Sequence, residues 1–128
     1  MRWKELLFRG ATTDVTIDAE TAFGVTAEYS PSSECTLVGV VVIAGGIAAT
    51  SLIENGHVRI DSESFGGKHH ITEFQGIGLE TVPRSARPKT VDMTPDLPVK
   101  TGVKLVGKYY HNVLPVTPEI VVYGIFQK

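Results

Sequence analysis

One cysteine in 128 residues, Cys35, excludes an internal disulfide framework and any cysteine-rich zinc site. Basic excess is missing too: 12 lysines and arginines stand against 14 acids, giving a net charge of −2 and a pI near 6.1. A chain that gathers nucleic acid needs a basic patch to displace counterions, so no direct nucleic-acid contact is expected. No run of like charge forms a tail for an anionic membrane surface. No G-x-S-x-G elbow surrounds Ser62 or Ser64, and the glycines of AGGIAAT lack the Gly-Lys-Ser/Thr ending of a phosphate loop. A dinucleotide fold would need a helix after those glycines, within a βαβ unit, and the pattern offers none. The first ten residues, MRWKELLFRG, lack the apolar segment and small-residue cleavage site of a signal peptide.

What is present is ordinary globular material, 42% hydrophobic and 20% charged. The length suits one domain with a core that needs no staples. The dominant periodicity is two. Val15 and Ile17 alternate with Thr16 and Asp18; Phe23, Val25, Ala27 and Tyr29 share a phase. Asn55-Gly56, between Ile53 and Val58, predicts a tight hairpin turn, since both positions of such a turn need φ > 0. FGGKHH predicts a second turn, followed by a strand over HITEFQGIGLE. The segments GVKLVGKYYHN and PEIVVYGIFQ read as two closing strands, with Val121, Tyr123 and Ile125 on one face of the last.

Between them, residues 81–101 hold Pro83, Pro88, Pro95 and Pro98, which resist helix and central strand alike. The spacing predicts an all-β fold of about eight antiparallel strands, a β-sandwich with a single jelly roll preferred. The expected organisation is one domain over 1–128, with an N-terminal arm at 1–12 and a proline-rich loop at 81–101.

The run CTLVGVVVIAGGIAAT is the main ambiguity. Glu34 and Glu54 enclose 19 uncharged residues, close to the ~20 that a membrane-spanning helix needs. Its valines favour a pleated strand, its adjacent glycines favour a bend, and no basic or aromatic flanks set an orientation. The run therefore predicts a central strand, a bend and a continuing strand, apolar on both faces and covered on both. Cys35 reads as a small buried hydrophobe at its start.

No metal or cofactor is expected. His69 and His70 point to opposite faces of an extended segment, so they do not chelate together. A zinc site would have to join one of them to His57 and Glu73. His111 sits where a strand runs into a turn. The carboxylates from Asp14 to Glu73 mostly occupy polar strand phases and read as a solvated face, not as the facing pair of a glycosidase. The chain is expected not to be an enzyme. Arg84, Arg87 and Lys89, followed by Asp92 and Asp96, give the proline-rich segment a mixed charge suited to pairing with another subunit.

The strand pattern, carried by SLIENGHVRI, the proline-rich connection 81–101 and the closing pair VKLVGKYYHN and TPEIVVYGIF, resembles the small single jelly-roll proteins of icosahedral virus particles. The likeness covers about Val15 to Phe126. It implies a structural, self-assembling protein, a capsid or capsid-decorating component, with copies of itself and other capsid proteins as partners. It implies production in a host cytoplasm, residence in the virion and no membrane span. The chain departs from many capsid proteins in having no basic arm for genome packaging. The residues expected at subunit contacts are Trp3, Leu6, Leu7, Phe8, Arg84, Arg87, Pro88 and Lys89, with deletion of 2–8 expected to spare the fold. Two alternatives share the architecture: a glycan-binding sandwich using Trp3, Tyr29, Tyr109 or Tyr110, and a cupin-like metal enzyme.

Overall fold

The alternating segments become strands in the computed structural model, which describes residues 1–10, 20–45, 53–77, 89–111 and 119–128. Ten strand segments lie among these residues: β1 (Arg2–Gly10), β2 (Thr21–Ala22), β3 (Glu28–Tyr29), β4 (Cys35–Gly45), β5 (Ile53–Asp61), β6 (His69–Ile77), β7 (Lys89–Asp92), β8 (Leu97–Val99), β9 (Leu105–His111) and β10 (Glu119–Gln127). They form two five-stranded antiparallel sheets packed as a sandwich. The first sheet runs β1-β10-β4-β7, with β8 also on β4; the second runs β2-β9-β5-β6, with β3 also on β9. β2 and β3 share one neighbour, as do β7 and β8, so the ten segments occupy eight positions, four in each sheet.

The core lies between the sheets. The first contributes Phe8, Leu37, Val40, Val42, Val122 and Phe126, and the second Val58, Ile60, Leu105 and Tyr109. Aromatic rings bind it together: Phe8 stacks on Phe23 at 5.3 Å and Phe23 meets Tyr109 at 4.9 Å. At the other end Phe126 stacks with Trp3 at 5.8 Å and with Tyr29 at 5.7 Å. Two bulges switch the strand phase. Leu7 is the extra residue of β1 and Val38 that of β4, so Leu7 and Phe8 are both buried, as are Leu37 and Val38.

Four expectations need correction. The arm expected over 1–12 is a strand where it is described: 2–10 form β1, hydrogen-bonded to β10 along its length, and Leu7 and Phe8 have no exposed surface, while 11 and 12 lie outside the described residues. Removing 2–8 would strip a sheet of an edge strand and the core of a ring, so the fold would not be spared. Asn55-Gly56 is not a hairpin turn, because β5 runs straight through it, Asn55 opposite Gln75 and Gly56 opposite both Phe74 and His111. A central strand with neighbours on both sides outweighs the local turn preference. The proline-rich segment is not irregular throughout: 89–92 and 97–99 pair along β4, with Pro98 on an edge strand where its missing donor does no harm. Finally, AFGVTAEY is no continuous strand; Phe23 is buried but Val25 is 56% exposed.

The FGGKHH turn does form. Ser62 caps a 3-10 turn over Glu63–Phe65 by accepting the Ser64 N–H at 3.1 Å. Gly66 and Gly67 leave it with φ of 64° and 84°, which L side chains rarely adopt. The reversal delivers His69 and His70 to β6.

Candidate interaction surface

The two outer faces of the sandwich differ in chemistry. On the first sheet, Leu6 lies opposite Tyr123, Tyr123 opposite Val41, and Val41 opposite Val91. Directly opposed residues share a face, so an apolar row crosses four strands. One register step away Lys4, Ile125 and Gly39 line up, and the Met93 sulfur folds close over Gly39. One step the other way lie Arg9, Val121, Ile43 and Lys89. Leu6, Val91 and Met93 are 41%, 48% and 45% exposed, Tyr123 and Ile125 are half-buried, and Val41 is covered by these neighbours. The β1 border is basic, with Arg2, Lys4 and Arg9. The Lys4 ammonium stands 4.8 Å from the centre of the Tyr123 ring, where ring and cation attract.

The outer face of the second sheet is mainly polar and in part self-paired, with Ile71 40% exposed among its charges. Glu20 accepts from Arg59 at 3.2 Å and lies 2.9 Å from His57 Nε2, while Arg59 also reaches Asp61 at 3.1 Å. His57 stacks on Tyr110 with centroids 5.2 Å apart. The bond with His57, reinforced by Arg59, holds the Glu20 carboxyl below its ordinary value against a smaller burial penalty. Lys104 and Glu28 pair at 3.4 Å at the rim. This is the solvated face that the polar strand phases predict.

Three further groups lie elsewhere. His70 turns inward from edge strand β6, its Nε2 lying 3.1 Å from Asp92 on edge strand β7 and 2.9 Å from the Thr72 hydroxyl. Asp92 also accepts the backbone N–H and hydroxyl of Thr94 at 2.8 and 2.7 Å. This clasp ties the two sheets along one seam. Burial lowers the His70 pKa, although the Asp92 carboxylate acts to raise it. At the opposite border, the Tyr29 hydroxyl donates to Glu5 near Cys35. Burial, then Glu5, pushes both the Tyr29 phenol and the Cys35 thiol up, so Cys35 is a poor nucleophile. Lastly, an open cleft of about 780 Å³ lies at the end of the second sheet, between Glu63, Lys68, Gly102 and Lys104. No aromatic ring lines it among the described residues.

Among the described residues no three His, Cys, Asp or Glu side chains converge as metal ligands. His57 and Glu73 are cross-strand neighbours on the polar face, whereas His70 faces the interior and His69 is exposed. The apolar run is a strand over 35–45, and no helix among the described residues is long and apolar enough to cross a membrane.

The residues expected at subunit contacts are divided by the fold. Leu6 is on the apolar outer face, and Lys89 begins β7 at its border. Trp3 is half-buried against Phe126, while Leu7 and Phe8 belong to the core and offer nothing to a partner. Arg84, Arg87 and Pro88 lie outside the described residues. Tyr123, Val41, Val91 and Met93 were absent from the expected set. The signal for Tyr123 lies in β10, where Ile120, Val122 and Phe126 occupy one phase and Val121, Tyr123 and Ile125 the other, as in a strand covered on both faces. Comparison with protein families, with curated proteins and with solved structures finds no match to this chain.

Proposed function

We propose that the chain is a self-assembling structural protein, a shell or decorating subunit of a virus particle, built as a single jelly roll. The observation that carries the self-assembly is the Leu6–Tyr123–Val41–Val91 row across the outer face of the first sheet, set against a charged outer face on the second. A sandwich that served only to be soluble would solvate both faces alike; an apolar patch with a polar rim marks a contact surface.

Strand order supports the jelly roll. Numbering the eight sheet positions along the chain, 1 pairs with 8 (β1 with β10), 2 with 7 (β2 and β3 with β9), 3 with 6 (β4 with β7 and β8) and 4 with 5 (β5 with β6). A long hairpin with those four pairs, rolled round a core, gives sheet orders 1-8-3-6 and 2-7-4-5, the orders found in this chain. The virion setting rests on the strand-pattern resemblance and on this order.

Sedimentation of the purified chain at micromolar concentration tests the reading, with oligomers or larger closed particles expected. Val91→Glu places a charge on an exposed position, so it should change fold stability by no more than about 0.5 kcal/mol. It should weaken association at least tenfold, whereas Lys108→Glu on the second sheet should not. A wild-type chain that stays monomeric at every concentration would remove the proposal.

A further inference from the structure

Resting on that reading, we propose that the face of the first sheet takes a second copy of itself, the two sheets stacked about a two-fold axis parallel to the strands. The pattern on the face is more complementary to itself under that operation than under the two-fold across the strands. Rotation about an axis between β10 and β4 keeps every register level and exchanges the borders. Tyr123 then lies over the partner's β4 at the level of Val41, and Leu6 meets the partner's Val91. At this level the larger side chains of one half thus stand opposite smaller β-branched ones of the other.

Charge favours the same axis. Lys4 lies at the level of Gly39, and Asp96, exposed beside Leu97, lies at nearly that level on the far border, since Leu97 is paired with Leu37. Exchanging the borders brings Lys4 over the partner's Asp96. A two-fold across the strands would instead lay β1 on β1, with Arg2, Lys4 and Arg9 gathered against their own copies. The strand-parallel axis does bring Arg9 to the level of the partner's Lys89, but Arg9 is already engaged within its own chain.

The area is adequate. Four strands about 4.8 Å apart and nine residues rising about 3.3 Å each give a face of roughly 600 Å² before side-chain relief is counted. A standard interface buries about 800 Å² on each partner. Aligned sheets pack face to face at about 10 Å with their strands within about 30°, so two copies would stack without distorting either.

Site-directed cross-linking tests the axis. In a Cys35→Ser background, chains carrying Leu6→Cys, Val91→Cys or both are treated with a short bis-maleimide, because facing sheets lie beyond disulfide reach. Three strand spacings, about 14 Å, separate positions 6 and 91 within one chain. The double variant should form covalent dimers, and each single variant should form few. Lys4→Glu and Asp96→Lys should each cut the yield several-fold, and together they should restore it. Dimers from Leu6→Cys alone would overturn the strand-parallel axis while leaving self-assembly standing. So would an oligomeric chain that no variant cross-links. A monomeric chain with no cross-links would bring down the assembly reading as well.

Discussion

Gly107→Ala is expected to lower the unfolding free energy by about 2–3 kcal/mol, a large change for one methyl group. A Cβ at this position would stand 2.5–2.6 Å from three atoms of the Phe8 ring, closer than real Cβ atoms come. The ring cannot withdraw, because it has no exposed surface and stacks on Phe23 at 5.3 Å. Phe8→Ala should itself cost about 3–5 kcal/mol, a large part of the stability of a domain this size. The two changes share one space, so their costs should not add. In a Phe8→Leu background the added methyl should cost at least 1 kcal/mol less than in the wild type. Urea unfolding, comparing midpoints at constant slope, measures this. Additive costs would mean that the Gly107–Phe8 contact does not limit the packing.

Acid is expected to weaken the seam between the sheets in two steps. Burial outweighs the attraction of Asp92 and sets the folded His70 pKa below its ordinary 6.5. Between those values the unfolded chain binds the proton and the folded one resists it. Stability is therefore fully present above about 6.5 and falls as the pH drops towards the folded value. Burial acts to raise the Asp92 pKa, but the bonds from Thr94 and the partnership with His70 together hold it below its ordinary 3.8. That contribution is present above 3.8 and is lost as the pH falls through the folded value. His70→Gln should cost about 1–2 kcal/mol at pH 7.5 through the bonds it makes to Asp92 and Thr72. It should also flatten the loss between pH 7 and 5, while Asp92→Asn should flatten the limb below pH 4. Urea midpoints measured across this range decide the sign. A wild-type chain that gains stability on going from pH 7 to 5 would show that ion pairing outweighs burial at this clasp.

Much of the fold was legible locally because strands half-covered by a core must alternate. β9 shows this plainly: Leu105 and Tyr109 are buried while Lys108 is exposed. The valine run was legible as a central strand because β-branched side chains on both phases suit a strand covered on both sides. The FGGKHH reversal was legible because only glycine readily adopts its positive φ.

The errors came from residues whose state is set by distant neighbours. Leu7 and Phe8 look like an apolar arm until the β1 bulge and pairing with β10, more than a hundred residues away, turn both inward. Asn55-Gly56 carries a strong turn signal, and β6 and β9 on either side of it override that signal. The candidate surface was half legible. Leu6 was expected at a contact, and the apolar second phase of β4 announced a covered outer face. The partnership of Leu6, Tyr123, Val41 and Val91 joins four strands from positions 6 to 123, and only cross-strand register puts them in one row. By itself the sequence determined that this chain is all-β, where most strands lie and that the valine run is apolar on both phases, because those follow from side-chain alternation within a few residues. Tertiary structure alone decided which phases face the core, which strands pair and how the apolar side chains gather, because hydrogen-bond register links residues that the chain keeps far apart.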